Sequence, residues 1–266
     1  MTIAGILPAR VVVSPFVMWF LLRIRQHRYD SSVRAPFVSQ TLLIDADDTL
    51  WENNIYFERA IVDFISFLNH RERSPAEVRE ILNDVERDCI VSHGYGLRSF
   101  AHALEKTFER LSVEPLTPAL HEAIHGFAHT IARQPVQLLP GVQETLEYLA
   151  SKHQLFLVTK GDPHEQSGKV ERSGLKAFFS TVAVVPEKDA ATYAALVSKH
   201  DLIRERTWMV GNSPKSDINP ALRAGVNAVF VPHDDTWILE HEELLAAEAP
   251  SQLLVLQSFR ELADHF

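Results

Sequence analysis

From residue 41 onward the chain is punctuated by short apolar runs: Thr41–Ala46 (TLLIDA), Leu155–Thr159 (LFLVT), Val182–Val185 (VAVV), Thr207–Val210 (TWMV) and Ala228–Val231 (AVFV). Their apolar residues are consecutive rather than alternating, which is the pattern of strands covered on both faces. Between most of them apolar residues recur at helical spacing. Strand–helix alternation of this kind predicts parallel strands joined by right-handed crossovers, an α/β chain with a doubly wound sheet. Gly174 and Gly225 each follow a helical stretch where a left-handed residue would end it.

The interval between the first two runs breaks this rhythm. It exceeds one hundred residues, far more than a crossover needs, and it reads as several helices. Ser74-Pro75-Ala76-Glu77 is a capping box with proline at the first helical position, and Val78, Ile81, Leu82 and Val85 follow at helical spacing. Thr117-Pro118 opens another helix, with Leu120, Ile124, Phe127 and Ile131 on one stripe. A helical insert is therefore expected over residues 52–138, with Pro140-Gly141 marking re-entry. The core then comprises residues 41–51 and 139–266.

Residues 1–40 differ from the rest. The apolar stretch 11–22 is interrupted by Ser14 and Pro15 and followed by Arg23, Arg25 and Arg28. It is shorter than the roughly 20 residues a spanning helix needs, and its charges are not arranged as in a secretory signal. A non-catalytic extension is the favoured reading over a weak membrane-surface contact through residues 11–22.

Composition narrows the function. Across 266 residues, 46% are hydrophobic and 23% charged, the balance of an ordinary globular protein with ample material for a core. Lys plus Arg total 26 against 35 Asp plus Glu, a net charge of −9, which argues against a general nucleic-acid binder. An anionic ligand would need a local positive site. The single cysteine, Cys89, cannot form an intrachain disulfide, so a reducing, cytoplasmic setting is expected. The chain is expected to be a monomer or homodimer.

Candidate chemistry falls at the ends of the strands, where open parallel sheets bind ligands. Asp45-Ala46-Asp47-Asp48-Thr49 follows the first. Two carboxylates two residues apart at the turn permit a division of labour, with Asp45 as nucleophile and metal ligand and Asp47 as acid and base. The second strand runs into Thr159-Lys160-Gly161-Asp162, where a hydroxyl and the backbone N–H groups that follow it, from Lys160 on, can receive phosphate oxygens. Lys188 lies just beyond the third, where an ammonium would hold Asp45 ionised and offset its repulsion from phosphate. The fourth ends in Gly211-Asn212-Ser213-Pro214-Lys215-Ser216-Asp217, whose oxygen side chains suit a hard cation such as Mg²⁺.

These four motifs, in this order, resemble the haloacid dehalogenase-like hydrolase superfamily on its phosphatase side, over residues 41–232. The resemblance implies a Rossmann-like core with an inserted helical cap. It also implies Asp45 as nucleophile, Asp47 as acid/base, and Thr159 and Lys188 as phosphate contacts. Mg²⁺ would be held by Asp45, the Asp47 carbonyl and the fourth-motif loop through Asn212 or Asp217. The implied function is a magnesium-dependent phosphatase for a small phosphorylated metabolite, acting through an aspartyl-phosphate. The dehalogenating branch has no carboxylate at the position of Asp47. One departure stands out: Asn212 occupies a place that is usually Asp, which removes a negative charge and leaves a non-catalytic, phosphate-binding member as the alternative.

Two further stretches carry chemistry. The segment Ser92–Arg98 holds Tyr95 and Arg98 between flexing glycines, and these two are candidate substrate contacts over the cleft. His121-Glu122-Ala123-Ile124-His125 matches a zinc-peptidase pattern on a helix. Its stripe adjoins Leu120, Ile124 and Phe127, so edge-of-core histidines are the simpler account.

Overall fold

A computed structural model describes residues 38–266. The expectation of a surface contact at residues 11–22 lies outside them, as does almost all of the 1–40 extension. Among the described residues no helix is long and apolar enough to cross a membrane.

Six parallel strands form one sheet: β1 (Thr41–Ile44), β2 (Gln154–Lys160), β3 (Thr181–Val185), β4 (Thr207–Gly211), β5 (Asn227–Phe230) and β6 (Leu253–Val255), in the spatial order β3-β2-β1-β4-β5-β6. β1 lies in the interior between β2 and β4. Its three apolar residues serve two layers in alternation. Leu42 and Ile44 join the cluster that holds Val142, Leu146 and Leu149 of α5 (Val142–Ala150). Leu43 joins the opposite cluster, with Tyr193, Leu196 and Val197 of α7 (Ala190–Lys199). All three are fully buried, each burial being worth about 2 kcal/mol. This two-sided covering is why the run is continuous and not alternating.

The sequence pattern does not reveal β6. It is three residues long at the sheet edge, with Val255 exposed, too short and too one-sided to register as a buried strand. β1 also ends at Ile44, so that Asp45 already belongs to the turn, its N–H donating to the Val210 carbonyl at 2.9 Å. Gly174 and Gly225 both take positive φ, 72° and 73°.

Four helices fill the interval between β1 and β2: α1 (Asn54–Leu68), α2 (Pro75–His93), α3 (Leu97–Leu111) and α4 (Pro118–Ala132). Ser74 and Glu77 form the reciprocal capping box at the start of α2, and Thr117 accepts from the Leu120 N–H at the start of α4. The helices share a hydrophobic cluster separate from both faces of the sheet, centred on Phe64, Leu82, Leu104 and Ile124. The two chain crossings into this insert run side by side: Glu52 N–H donates to Gln137 at 2.9 Å and Leu139 N–H to Leu50 at 2.9 Å. Both linkers thus emerge next to the carboxyl end of β1. That places the insert beside the residues expected to do chemistry.

Candidate active site

The chain turns sharply after β1. Leu50 N–H closes the turn on the Ala46 carbonyl at 2.8 Å, and Asp48 adopts a left-handed φ of 59°. The Asp48 carboxylate accepts from the N–H groups of Asn53 (2.8 Å) and Asn54 (3.0 Å), tying the turn to the first turn of α1. Burial pushes the Asp48 carboxyl up to about 8, despite those donors. Asp48 is thereby a scaffold for its neighbours on either side.

Asp45 sits at the bottom of a cavity of about 150 Å³ between the strand ends and the insert, which Asp47, Thr159, Lys160, Lys188, Asn212 and Asp217 also line. Lys188 is 4% exposed, and its ammonium bridges Asp45 Oδ1 and Asp217 Oδ1, the latter at 2.8 Å. Burial works against the Lys188 charge, but Asp217 and Asp45 outweigh it and raise its proton affinity. Two buried carboxylates share this one ammonium. Burial therefore pushes the Asp45 carboxyl up to about 7, with Lys188 opposing and Asp217 reinforcing the rise. The second Asp45 oxygen accepts from Thr49 Oγ1 at 2.9 Å.

The fourth-motif loop divides its labour. Asp217 Oδ2 accepts from the Ser213 N–H at 3.0 Å, so both of its oxygens are engaged, one by Lys188 and one by backbone. Asn212 donates its amide to Thr236 Oγ1 at 3.0 Å, which turns its Oδ1 toward Thr49, 3.3 Å from that hydroxyl. Asn212 thus presents an oxygen on the Asp45 side, whereas Asp217 holds Lys188.

Asp47 is held by a different set. Trp51 Nε1 donates to its Oδ1 at 2.7 Å, Gln166 Nε2 to its Oδ2 at 2.9 Å, and Lys169 Nζ reaches both oxygens. Burial alone would raise this carboxyl. Lys169 and the hydrogen bonds from Lys169, Gln166 and Trp51 override burial and hold it below the ordinary carboxylate value. Gln166 also accepts from Thr159 Oγ1 at 3.3 Å, linking the second motif to the first. Gln166 and Lys169 come from α6 (Pro163–Ser173), which Asp162 caps by accepting from the N–H groups of His164 and Glu165.

The remaining candidates part ways. The Lys160 ammonium is committed to Glu240 Oε1 (2.7 Å) and Ser216 Oγ (2.7 Å), and it lies over the Tyr95 ring at 4.2 Å. Its side chain is a brace and not an open phosphate contact. Tyr95 lines the cavity, donating to Glu187 Oε2 at 2.8 Å. Arg98 does not line it. α3 begins at Leu97, and its helical period turns Ser99, Phe100 and Ala103 to the cavity while leaving Arg98 exposed. The zinc-peptidase pattern lies on α4, outside the cavity lining. His121 and Glu122 are exposed, the His121 and His125 rings stack at 4.0 Å, and both lean on Glu105, at 3.3 and 2.8 Å, away from the cavity lining.

Sequence reasoning missed Lys169, Gln166 and Trp51. A signal existed for the first two: they stand three residues apart on a helix that starts directly at the second motif, so they share a face near the strand ends.

The comparisons with known proteins bear on this geometry. The family model described as "Hydrolase: haloacid dehalogenase-like hydrolase" matches residues 40–225. The chain belongs to the haloacid dehalogenase-like hydrolase family. Among its relatives is the pyrimidine 5'-nucleotidase YjjG of Escherichia coli (strain K12), 26% identical over 196 residues, which are 70% of this chain and 82% of that one. A solved haloacid dehalogenase-like family hydrolase from Xanthomonas campestris is 28% identical with a TM-score of 0.72, covering 86% of this chain and 95% of its own. The HAD-hydrolase YfnB from Bacillus subtilis, solved bound to magnesium, shares the fold at 17% identity, with a TM-score of 0.60 and coverage of 85% and 98%. Haloacid dehalogenases share it too.

Proposed function

We propose that this family member is a magnesium-dependent phosphomonoesterase that works through an aspartyl-phosphate on Asp45. Asp45 attacks phosphorus, the bond to the leaving oxygen breaks, and Asp47 delivers a proton to that oxygen. Asp47 then removes a proton from water, which cleaves the acyl phosphate and restores the Asp45 carboxylate. Lys188 lowers the repulsion between carboxylate and phosphate, and Thr159 donates to a phosphate oxygen. The helical insert is the cap that closes the leaving-group side from water.

The observation that carries this reading is the fixed Asp47 carboxylate beside the same cavity as Asp45. Halide leaves without a proton, so a dehalogenase has no use for a carboxylate anchored by Trp51, Gln166 and Lys169. The donor set suits Mg²⁺: the Asp45 carboxylate, the Asp47 carbonyl and Asn212 Oδ1 are all hard oxygens. Asn212 Oδ1 shares the Thr49 hydroxyl with Asp45 Oδ2, while Asp217 is turned to Lys188 and the Ser213 N–H, which favours Asn212 as the inner ligand. Magnesium, when bound, supplies positive charge against the phosphoryl oxygens. The relative named as a pyrimidine 5'-nucleotidase supports a small phosphorylated metabolite as substrate.

Turnover of p-nitrophenyl phosphate tests the proposal. EDTA should suppress it and Mg²⁺ restore it, and Asp45→Asn should abolish it. Undiminished turnover by Asp45→Asn would remove the mechanism.

A further inference from the structure

The cap half of the cavity contains a carboxyl group that the phosphatase chemistry does not use. Glu86, on α2, is 6% exposed and lines the cavity, and its Oε2 is buried without a hydrogen-bond partner. Arg79, the arginine that acts on it most strongly, is not available to it, being bidentate on Glu58 at 2.8 and 2.6 Å. Leaving a buried carboxyl unpaired costs stability that a leucine at the same place would not. A group retained against that cost and facing a ligand cavity marks a missing donor.

The surroundings define what the donor is attached to. Two edge-on aromatic pairs line the same cavity, Phe57 with Phe100 at 5.0 Å and Tyr95 with Trp237 at 6.4 Å between centroids. Such walls accept a flat, uncharged ring. The cations among the described lining residues are Lys160, Lys169 and Lys188, each already held by a carboxylate. No free cation there would receive a second anionic group on the leaving side.

Resting on the phosphatase reading, we propose that Glu86 is the leaving-group specificity residue, accepting a hydrogen bond from an N–H donor on an uncharged heteroaromatic ring. The substrate class is then the nucleoside monophosphates, and phosphate esters with a carboxylate-bearing leaving group are excluded.

The test compares kcat/KM for uridine 5'-monophosphate, 2-phosphoglycolate and p-nitrophenyl phosphate in wild type and Glu86→Leu. Wild type should prefer the nucleotide over phosphoglycolate by at least tenfold. Glu86→Leu should lower the ratio of nucleotide to p-nitrophenyl phosphate at least tenfold while melting at or above the wild-type temperature. A ratio that moves less than twofold overturns the inference, as does a wild-type preference for phosphoglycolate. Should Glu86→Leu not fold, Glu86→Gln is read by the same ratio. Absence of turnover of all three substrates by wild type with Mg²⁺ defeats the phosphatase reading itself. Turnover with a ratio indifferent to Glu86 defeats only the specificity role.

Discussion

The Lys169 ammonium lies 2.9 and 2.8 Å from the two carboxylate oxygens of Asp47, and 2.7 Å from Asn53 Oδ1. This pairing keeps Asp47 ionised before substrate arrives, although the proposed first step needs it protonated. The conflict resolves when a phosphate dianion enters, because a second negative charge beside Asp47 raises its proton affinity and competes for Lys169. Removing Lys169 leaves burial as the dominant influence on Asp47, and its pKa must rise. Lys169→Met should therefore move the alkaline limb of the kcat profile for an alkyl phosphate to higher pH. A profile merely lowered at every pH, with its limb in place, would make Lys169 a packing residue only.

Asn212 invites the opposite manipulation. With its amide fixed by Thr236 and its Oδ1 turned to the Asp45 side, it offers a neutral oxygen where a carboxylate would add charge. Asn212→Asp should lower the Mg²⁺ concentration that half-restores activity by roughly tenfold, an amount equal to about 1.4 kcal/mol of added attraction. Asn212→Ala should raise it. A Mg²⁺ titration that does not distinguish the three proteins would exclude residue 212 from the metal site.

The floor of the site depends on the absence of a side chain. A Cβ placed on Gly211 would fall onto the Asp217 carboxylate and lie 2.8 Å from the Asp217 Cβ. Asp217 is 1% exposed and cannot yield without dropping Lys188 or the Ser213 N–H. Gly211→Ala should cost about 1–3 kcal/mol by overpacking and reduce turnover at the same time. Denaturant unfolding and p-nitrophenyl phosphate kinetics on one preparation measure both, and a variant equal to wild type in the two would show that the loop can shift freely.

How far these relationships were legible depended on whether a residue acts along the chain or across it. Asp45, Asp47, Thr159, Lys188 and Asp217 could be read as letters because each lies at or just past the end of a strand whose continuous apolar run announces it. All of them line one cavity or touch a group that does. Arg98 could not be placed, since one residue's difference in helix start decides whether position 98 or 99 faces inward. Glu240 and Trp237 sit beyond β5, outside any motif, and meet the site only through contacts such as Glu240 with Lys160, 80 residues away. Strand β6 escaped because three residues at an edge carry too little burial to impose a pattern. Local periodicity reports burial; cross-chain pairing leaves no such trace.

That distant pairing yields a prediction about acid stability. Glu240 accepts from Lys160 at 2.7 Å and from Ser213 Oγ at 2.6 Å while almost completely buried. Burial pushes its carboxyl up, but Lys160 and the two serine hydroxyls prevail and bring it from 4.5 down to about 2. A carboxyl depressed in the folded state binds fewer protons there than when unfolded. Its contribution is therefore present above the unfolded value, near 4.5, and drains away as the pH falls through about 2. At roughly 1.4 kcal/mol per unit, the amount at neutral pH is on the order of 3 kcal/mol. Glu240→Gln should unfold at lower denaturant than wild type near pH 7, and the gap should narrow by pH ~3 as the wild type loses its advantage. Equal gaps at both pH values would show that hydrogen bonding alone, and not the charge on Glu240, secures Lys160 against the Tyr95 ring.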